Sequence, residues 1–307
     1  MDNNKLVSII IPTYKRPGTL YRAVNSALKQ TYRPIEIIVV DDNNPDTPER
    51  LETEKIMEEY KDNPLVIYIK HAMNKNGSAA RNTGARLSKG DYLAFLDDDD
   101  EYLPKKIEVQ VKRLENLDED WGACYCRYYR RKNNGKLVSR STERREGFVS
   151  FHELCRNFWH GGSTGPIVRR AVFFDVGGFD ESFHRNQDYE YMLKITKKYK
   201  LAFANIYGEI NYVDSYRESK RTYDEIVQNY IETFKEDIDS LDDKHKIIFE
   251  KMMILQKYRY FIVEKHSLSQ AVKYVRSTKK ISFLLLLRYT IYLLYRKVFK
   301  ISCGFNI

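Results

Sequence analysis

Four consecutive aspartates, Asp97 to Asp100, close the apolar run of "DYLAFLDDDD". Like charges this close repel, and some lose their charge unless a cation or strong donors compensate. Asp97 and Asp99 stand two apart, so on an extended segment they project to the same side. Such a pair suits magnesium or manganese, which takes one or two carboxylates and completes its shell with diphosphate oxygens and water. A second acidic pair, Asp41-Asp42, ends "IEIIVVDD", and Asp188, with Glu190 two residues on, opens "QDYEYMLKI". Neither of the glycine-rich phosphate loops, G-x-x-x-x-G-K-[ST] or G-x-G-x-x-G after a strand, occurs in the chain. Phosphate binding would therefore fall to a cation held by carboxylates.

These groups need a scaffold that gathers them. "LVSIIIP", "IEIIVVDD", "LVIYIK" and "YLAFLDDDD" read as buried strands, rich in β-branched residues. Helical stripes lie between them: "GTLYRAVNSALKQ", residues 49–60, and "SAARNTGARLSKG". Alternating strands and helices predict a parallel α/β sheet, in which ligands bind beyond the carboxyl ends of the strands. Pro12, Thr13 and Tyr14, then Asp41 and Asp42, then the four aspartates are expected on that edge. "WGACYCRYYRRKNNGKLVSRS" reads as a hairpin around Asn-Asn-Gly. A glycine-rich loop, a strand, a short helix and a helix opening near Asp188 follow, and residues 222–275 read as mostly helical.

"SIIIPTYKRP", "IEIIVVDDNN", "NGSAARNTGARLSKGDYLAFLDDDDEYLP" and "GGFDESFHRNQDYEYMLKI", in this order, resemble the nucleotide-binding and acceptor motifs of the family 2 glycosyltransferases. The resemblance covers roughly residues 5–215. It implies an inverting transferase with a Rossmann-like GT-A fold that takes a sugar from a nucleotide-diphosphate donor, a UDP-sugar by preference. The acceptor would be a hydroxyl of a glycan or lipid-linked glycan in cell-surface polysaccharide synthesis. Pro12, Thr13, Tyr14, Arg16, Asp41, Arg81, Asp97 and Asp98 would serve the nucleotide, with the Tyr14 ring as a stacking face and Asp41 accepting from a base N–H. Asp99, with Asp97, would hold Mn2+ or Mg2+, as in a D-x-D motif. Asp98 fills the middle position, where relatives often carry a small polar residue, so Asp98 or Asp100 could share the metal.

An inverting displacement needs one carboxylate to take the acceptor's proton. Relatives place it in an "ED" pair, and Gln187-Asp188 stands there, which assigns the base to Asp188. The same residue also suits a helix N-terminus, where the macrodipole favours negative charge. Trp159 and His160 of "NFWHGGSTGP" offer a stacking ring and a hydrogen-bonding imidazole to an acceptor; a core Trp and a structural His explain them equally well. Relatives often carry a histidine near a Tyr-Arg element, whereas "NYVDSYRESKRTY" offers Arg217, Lys220 and Arg221 to a diphosphate.

The chain of 307 residues carries a net charge of +9. After Glu264 it has no acidic residue and nine basic ones, so residues 1–264 are formally neutral. A neutral body with a basic tail argues against nucleic acid and for an anionic surface met at one end. "ISFLLLLRYTIYLLYRKVFK" is split by Arg288 and closed by Arg296 and Lys297, too interrupted to cross a bilayer. It suits an interfacial helix at a membrane, or a helix packed on protein. Four irregularly spaced cysteines read as reduced thiols. The N-terminus does not read as a signal peptide, which gives a cytoplasmic location, peripheral at the membrane face. The expected domains are 1–215, with a nucleotide half to about 120 and an acceptor half beyond, and a helical region over 216–307. Two other readings are a sugar-phosphate nucleotidyltransferase, which "PTYKRPG" equips poorly, and a catalytically silent sugar-nucleotide-binding subunit, which Gln187 favours.

Overall fold

The computed structural model describes residues 4–183, 186–213 and 222–307. Its centre is set by buried β-branched runs. β1 (Val7–Thr13) is buried at every position, and β2 (Ile35–Asp41) at all but one, as strands covered on both faces must be. α1 (Pro17–Leu28) starts on a proline, which a first helical turn tolerates, and turns Leu20, Ala23, Val24 and Ala27 onto the sheet. α2 (Pro48–Glu58), β3 (Val66–Lys70), α3 (Gly77–Leu87) and β4 (Tyr92–Phe95) continue the alternation. β1 pairs in parallel with β2 and β4, and β2 with β3.

β5 (Glu101–Tyr102), α4 (Lys106–Glu115), β6 (Trp121–Arg131), β7 (Leu137–Ser141), α5 (Ser150–Leu154), β8 (Ile167–Arg169), α6 (Arg170–Asp175), α7 (Gln187–Lys198) and β9 (Lys200–Tyr212) follow. The hairpin expected around Asn-Asn-Gly is β6 and β7. Antiparallel β8 joins β4 to β6, giving the order β7-β6-β8-β4-β1-β2-β3, and β9 lies parallel to β6 and antiparallel to β5. The result is an α/β fold with a mainly parallel core, as the sequence predicts. α4 and β9 lie where the sequence reading assigns nothing. β9 is hidden because register shifts against β6 break its two-residue alternation.

The chain divides into two units: residues 1–150 with 159–213, and residues 151–158 with 214–307. The second unit therefore claims residues 151–158, which the sequence reading groups with the acceptor half. Within it, α8 (Tyr223–Thr233) opens on a capping box at Thr222 and Glu225. α9 (Lys235–Asp239), α10 (Asp243–Val263), α11 (Leu268–Thr278) and α12 (Phe283–Phe299) complete it, with α10 packed on α11 and α12. The segment 151–158 is held by polar contacts from these helices and the chain's end. Tyr230 Oη donates to Leu154 O at 2.9 Å, Gln256 Nε2 to Cys155 O at 2.6 Å, and Asn157 exchanges hydrogen bonds with the Phe305 backbone.

Candidate active site

Parallel register sets Thr13 opposite Asp41 and Ile10 opposite Phe95, so the ends of β1, β2 and β4 share one edge. The sequence reading carries the fourth strand through the aspartates, but β4 ends at Phe95. Asp97 to Asp100 form a turn, with the Asp100 amide donating to Asp97 O at 3.0 Å. That turn sorts the four carboxylates into an inner and an outer pair.

The inner pair is structural. Asp98 accepts from Thr13 Oγ1 at 2.8 Å and the Tyr14 amide at 3.3 Å, and pairs with Arg16 at 3.2 Å. Asp100 accepts from Asn211 Nδ2 at 2.7 Å, the Tyr212 amide at 3.0 Å and Thr164 Oγ1 at 3.2 Å. Burial pushes Asp98 up to about 7 against the pull of Arg16, and pushes Asp100 up to about 8. Asp98, expected among the nucleotide contacts, instead ties β1 to the turn, because both its oxygens face inward onto Thr13, Tyr14 and Arg16. The outer pair stays accessible. The side chains of Asp97 and Asp99 are 33% and 24% exposed, and they pair with Arg81 and Arg16 respectively.

Asp41 also turns inward. It is fully buried: Oδ1 accepts from the backbone and side-chain nitrogens of Asn43, and Oδ2 accepts from Tyr68 Oη and pairs with Arg50. Its acceptor sites are thus filled from within the protein, so in this structure it offers none to a base. Asp42 orders the next loop, accepting from the amides of Lys75 and Asn76 and from Asn74 Nδ2. Of the first motif, Pro12 and Thr13 are buried in β1, while Tyr14 is 40% exposed.

Arg81 is the hub of the site. α3 approaches β1 so closely that a Cβ on Gly84 would lie 2.4 Å from Ile10, which sets Arg81 beside the aspartate turn. One amino group donates to Asp97 and, at 3.4 Å, to Ser163 Oγ, while the other donates to Gln187 Oε1 at 3.4 Å. Asn76 Nδ2 donates to Glu181 O at 2.8 Å and Asn82 Nδ2 to Phe179 O at 2.8 Å, which ties α3 to the loop leading into α7. α7 opens at Gln187, so Asp188 lies in its first turn. Glu190 faces elsewhere, paired with Lys194 at 2.7 Å, and burial raises its carboxyl above the usual value.

An open cleft of about 270 Å3 is lined by Arg81, Asp97, Gly161, Gly162, Ser163, Asn186, Gln187 and Asp188. The structure thus joins three expected residues, Arg81, Asp97 and Asp188, around one space. Trp159 and His160 are not among its lining; His160 is buried, and the glycine backbone after it forms the wall. Arg217, Lys220 and Arg221 lie outside the described residues. Beneath the wall sits a group that sequence does not single out. Glu209 is fully buried, and among the described residues neither carboxylate oxygen has a hydrogen-bond partner. A Cβ on Gly161 would stand 2.1 Å from its Oε1. Lys106, buried alongside, donates to Gly165 O at 2.9 Å and to Gln110 Oε1 at 2.8 Å. Burial holds Glu209 well above the usual carboxyl range.

Among the described residues no three His, Cys, Asp or Glu side chains gather as a metal site. The outer pair nevertheless fits a hard cation that draws its remaining ligands from a bound diphosphate. Asp97 and Asp99 offer only oxygen, both are partly exposed, and Asp97 lines the cleft.

The sequence model of the glycosyl transferase family 2 matches residues 8–177, more than half of the chain. The chain belongs to that family. Among curated relatives of this family 2 chain, the Escherichia coli glucosyltransferase WfaP is 40% identical over 129 residues, 42% of this chain and 48% of that one. WfaP is named for UDP-Glc and α-D-GlcNAc-diphosphoundecaprenol. An uncharacterized glycosyltransferase of Rickettsia bellii is 34% identical over 208 residues, 66% of this chain. The chain covers 29% of that relative's length and 61% of its Rickettsia prowazekii counterpart's. Staphylococcus aureus TarS 1-349 in complex with UDP superposes with a TM-score of 0.60 at 19% identity, over 85% of this chain and 73% of that one. The mannosyltransferase PcManGT of Pyrobaculum calidifontis, solved with GDP-Man and Mn2+, gives 0.56 at 15% identity over 97% and 85%. These likenesses make the fold of this family 2 transferase GT-A. No helix among the described residues is long and apolar enough to cross a membrane.

Proposed function

We propose that this glycosyltransferase is inverting and metal-assisted, and that it moves a sugar from a UDP-sugar to a hydroxyl of a lipid-linked glycan in cell-surface polysaccharide synthesis. The observation that carries the reading is the cleft that Arg81, Asp97 and Asp188 line together. The name of the Escherichia coli relative supports the UDP-sugar and the lipid-linked acceptor, which would put the work at the cytoplasmic face of the membrane. Residues up to about 120 would hold the nucleotide, with the Tyr14 ring as a stacking face, and 121–215 the acceptor.

In this reading Asp188 accepts the proton of the acceptor hydroxyl as its oxygen bonds to the anomeric carbon. The bond from that carbon to the diphosphate breaks on the opposite side, and the leaving group carries the electron pair away. Arg81 and Arg16 place fixed positive charge where the diphosphate's charge grows. Asp97 and Asp99 would hold a divalent cation, which supplies further charge against the leaving diphosphate. Ser163 and the glycine backbone leave room for the acceptor. Gln187, bridging Arg81 to the Phe183 carbonyl, takes a positioning role in place of a carboxylate.

The test is Asp188→Asn, assayed for UDP-sugar binding with manganese and with chelator, and for turnover. Donor binding should persist and depend on the metal, while turnover falls about 100-fold or more. Turnover equal to the parent's would move the base elsewhere. Donor binding with no turnover in the parent itself would favour the silent-subunit reading that Gln187 invites.

A further inference from the structure

Among the described residues the most exposed apolar surface lies on α12, which the proposed transfer reaction does not use. Only Leu285 and Tyr289 of this helix are buried. Tyr258 Oη bonds Thr290 Oγ1 at 2.9 Å, and Tyr292 Oη donates to Cys303 O at 2.6 Å, so one side is packed within its own unit. The other side is bare: Phe283 is 80% exposed, Leu284 65%, Ile291 56%, Leu294 58% and Val298 71%. At about 100° per residue these side chains and Leu287 fall within one arc of roughly 100°. Arg288 stands on one border of that arc and Lys297 on the other, both exposed.

Charge decides what covers this face. From Lys265 to the last residue the sequence has nine basic side chains and no acidic one. A second copy laid face to face on the stripe would bring like charges together along both borders. A bilayer with anionic headgroups does the opposite: it takes the apolar arc among its acyl chains and meets both basic borders with phosphate. The 17-residue helix is roughly 26 Å long, short of a full span, so it would lie in the plane of the surface.

We propose that the free face of α12 is an in-plane anchor that seats the chain on an anionic bilayer. The proposal goes beyond sugar transfer and stands without it. Cosedimentation of the full chain with vesicles tests it, using phosphatidylcholine alone and equal parts of phosphatidylcholine and phosphatidylglycerol. The chain should pellet with the anionic vesicles and stay behind with the neutral ones. Leu287→Ser, Ile291→Ser and Leu294→Ser combined should abolish pelleting with an unchanged thermal melt, since all three side chains are exposed. Lys297→Gln should weaken association roughly five-fold. Failure of the parent to pellet, or pelleting by the triple variant at the parent's level, overturns the proposal. So does a dimer in sedimentation velocity that the triple variant converts to monomer, because the cover would then be a second copy.

Discussion

At the scale of single residues, Glu209 is the most telling side chain in the catalytic unit. A carboxylate buried without hydrogen bonds is costly, and the group avoids the cost by keeping its proton. Lys106 lies nearby, but its amino group is spent on Gly165 O and Gln110, while Asp97 adds negative charge from the turn. The folded carboxyl titrates above its ordinary value of 4.5. Below that value both states hold the proton and the group's contribution is intact; as pH rises towards the folded pKa, the unfolded chain alone releases it and stability is lost. The loss is at most about 1.4 kcal/mol per pH unit. Glu209→Gln, which keeps the shape without the proton, should remove this component. Melting curves of parent and variant, taken from about half a unit above the ordinary value, roughly pH 5, up to roughly pH 8, should diverge in the variant's favour as pH rises. A constant gap would mean that Glu209 is already ionised in the fold.

At the scale of elements, the loop over Glu209 is as constrained as a strand. Gly161 adopts φ +94°, a conformation costly for other residues, and has no room for a Cβ above the Glu209 carboxyl. Gly161→Ala should therefore cost roughly 1–3 kcal/mol in urea unfolding; a change within a few tenths would show that the loop can relax. The same loop shows what residue order could reveal. β1, β2 and β4 are legible because strands buried on both faces read as apolar runs, and the aspartates because nothing else places four charges after such a run. Which of the four face outward is not legible. It depends on the chain turning after Phe95, where an extended segment would have left Asp98 opposite its neighbours rather than inside. Asp41 misleads for a similar reason: its partners Tyr68 and Arg50 come from other elements, and only the fold shows its oxygens are taken. Glu209 sits in β9, a strand disguised by its bulges, and its neighbours Lys106 and Gly161 are distant in sequence. The position of Asp188 in the first turn of α7 is legible because a helical stripe begins beside it; its role as base rests on the resemblance.

At the scale of the whole molecule, the charge is segregated by sequence: a neutral body, then a stretch with only basic side chains. The path of the chain is interleaved instead. It completes most of the catalytic unit, lends residues 151–158 to the helical unit, returns, and leaves again after residue 213. Leu154, Cys155 and Phe158 are buried in that excursion, and Tyr230, Gln256 and Phe305 bond its polar groups. A chain cut after residue 213 keeps the excursion but loses these partners, and should melt lower and aggregate more readily than the full chain in light scattering. Equal melting and scattering would show that 151–158 finds other cover. For anyone exchanging parts between transferases, the practical result is that no single crossover point separates catalyst from appendage. A working chimera would have to inherit the helices together with the eight residues stitched into them, two junctions more than a linear map of the chain suggests.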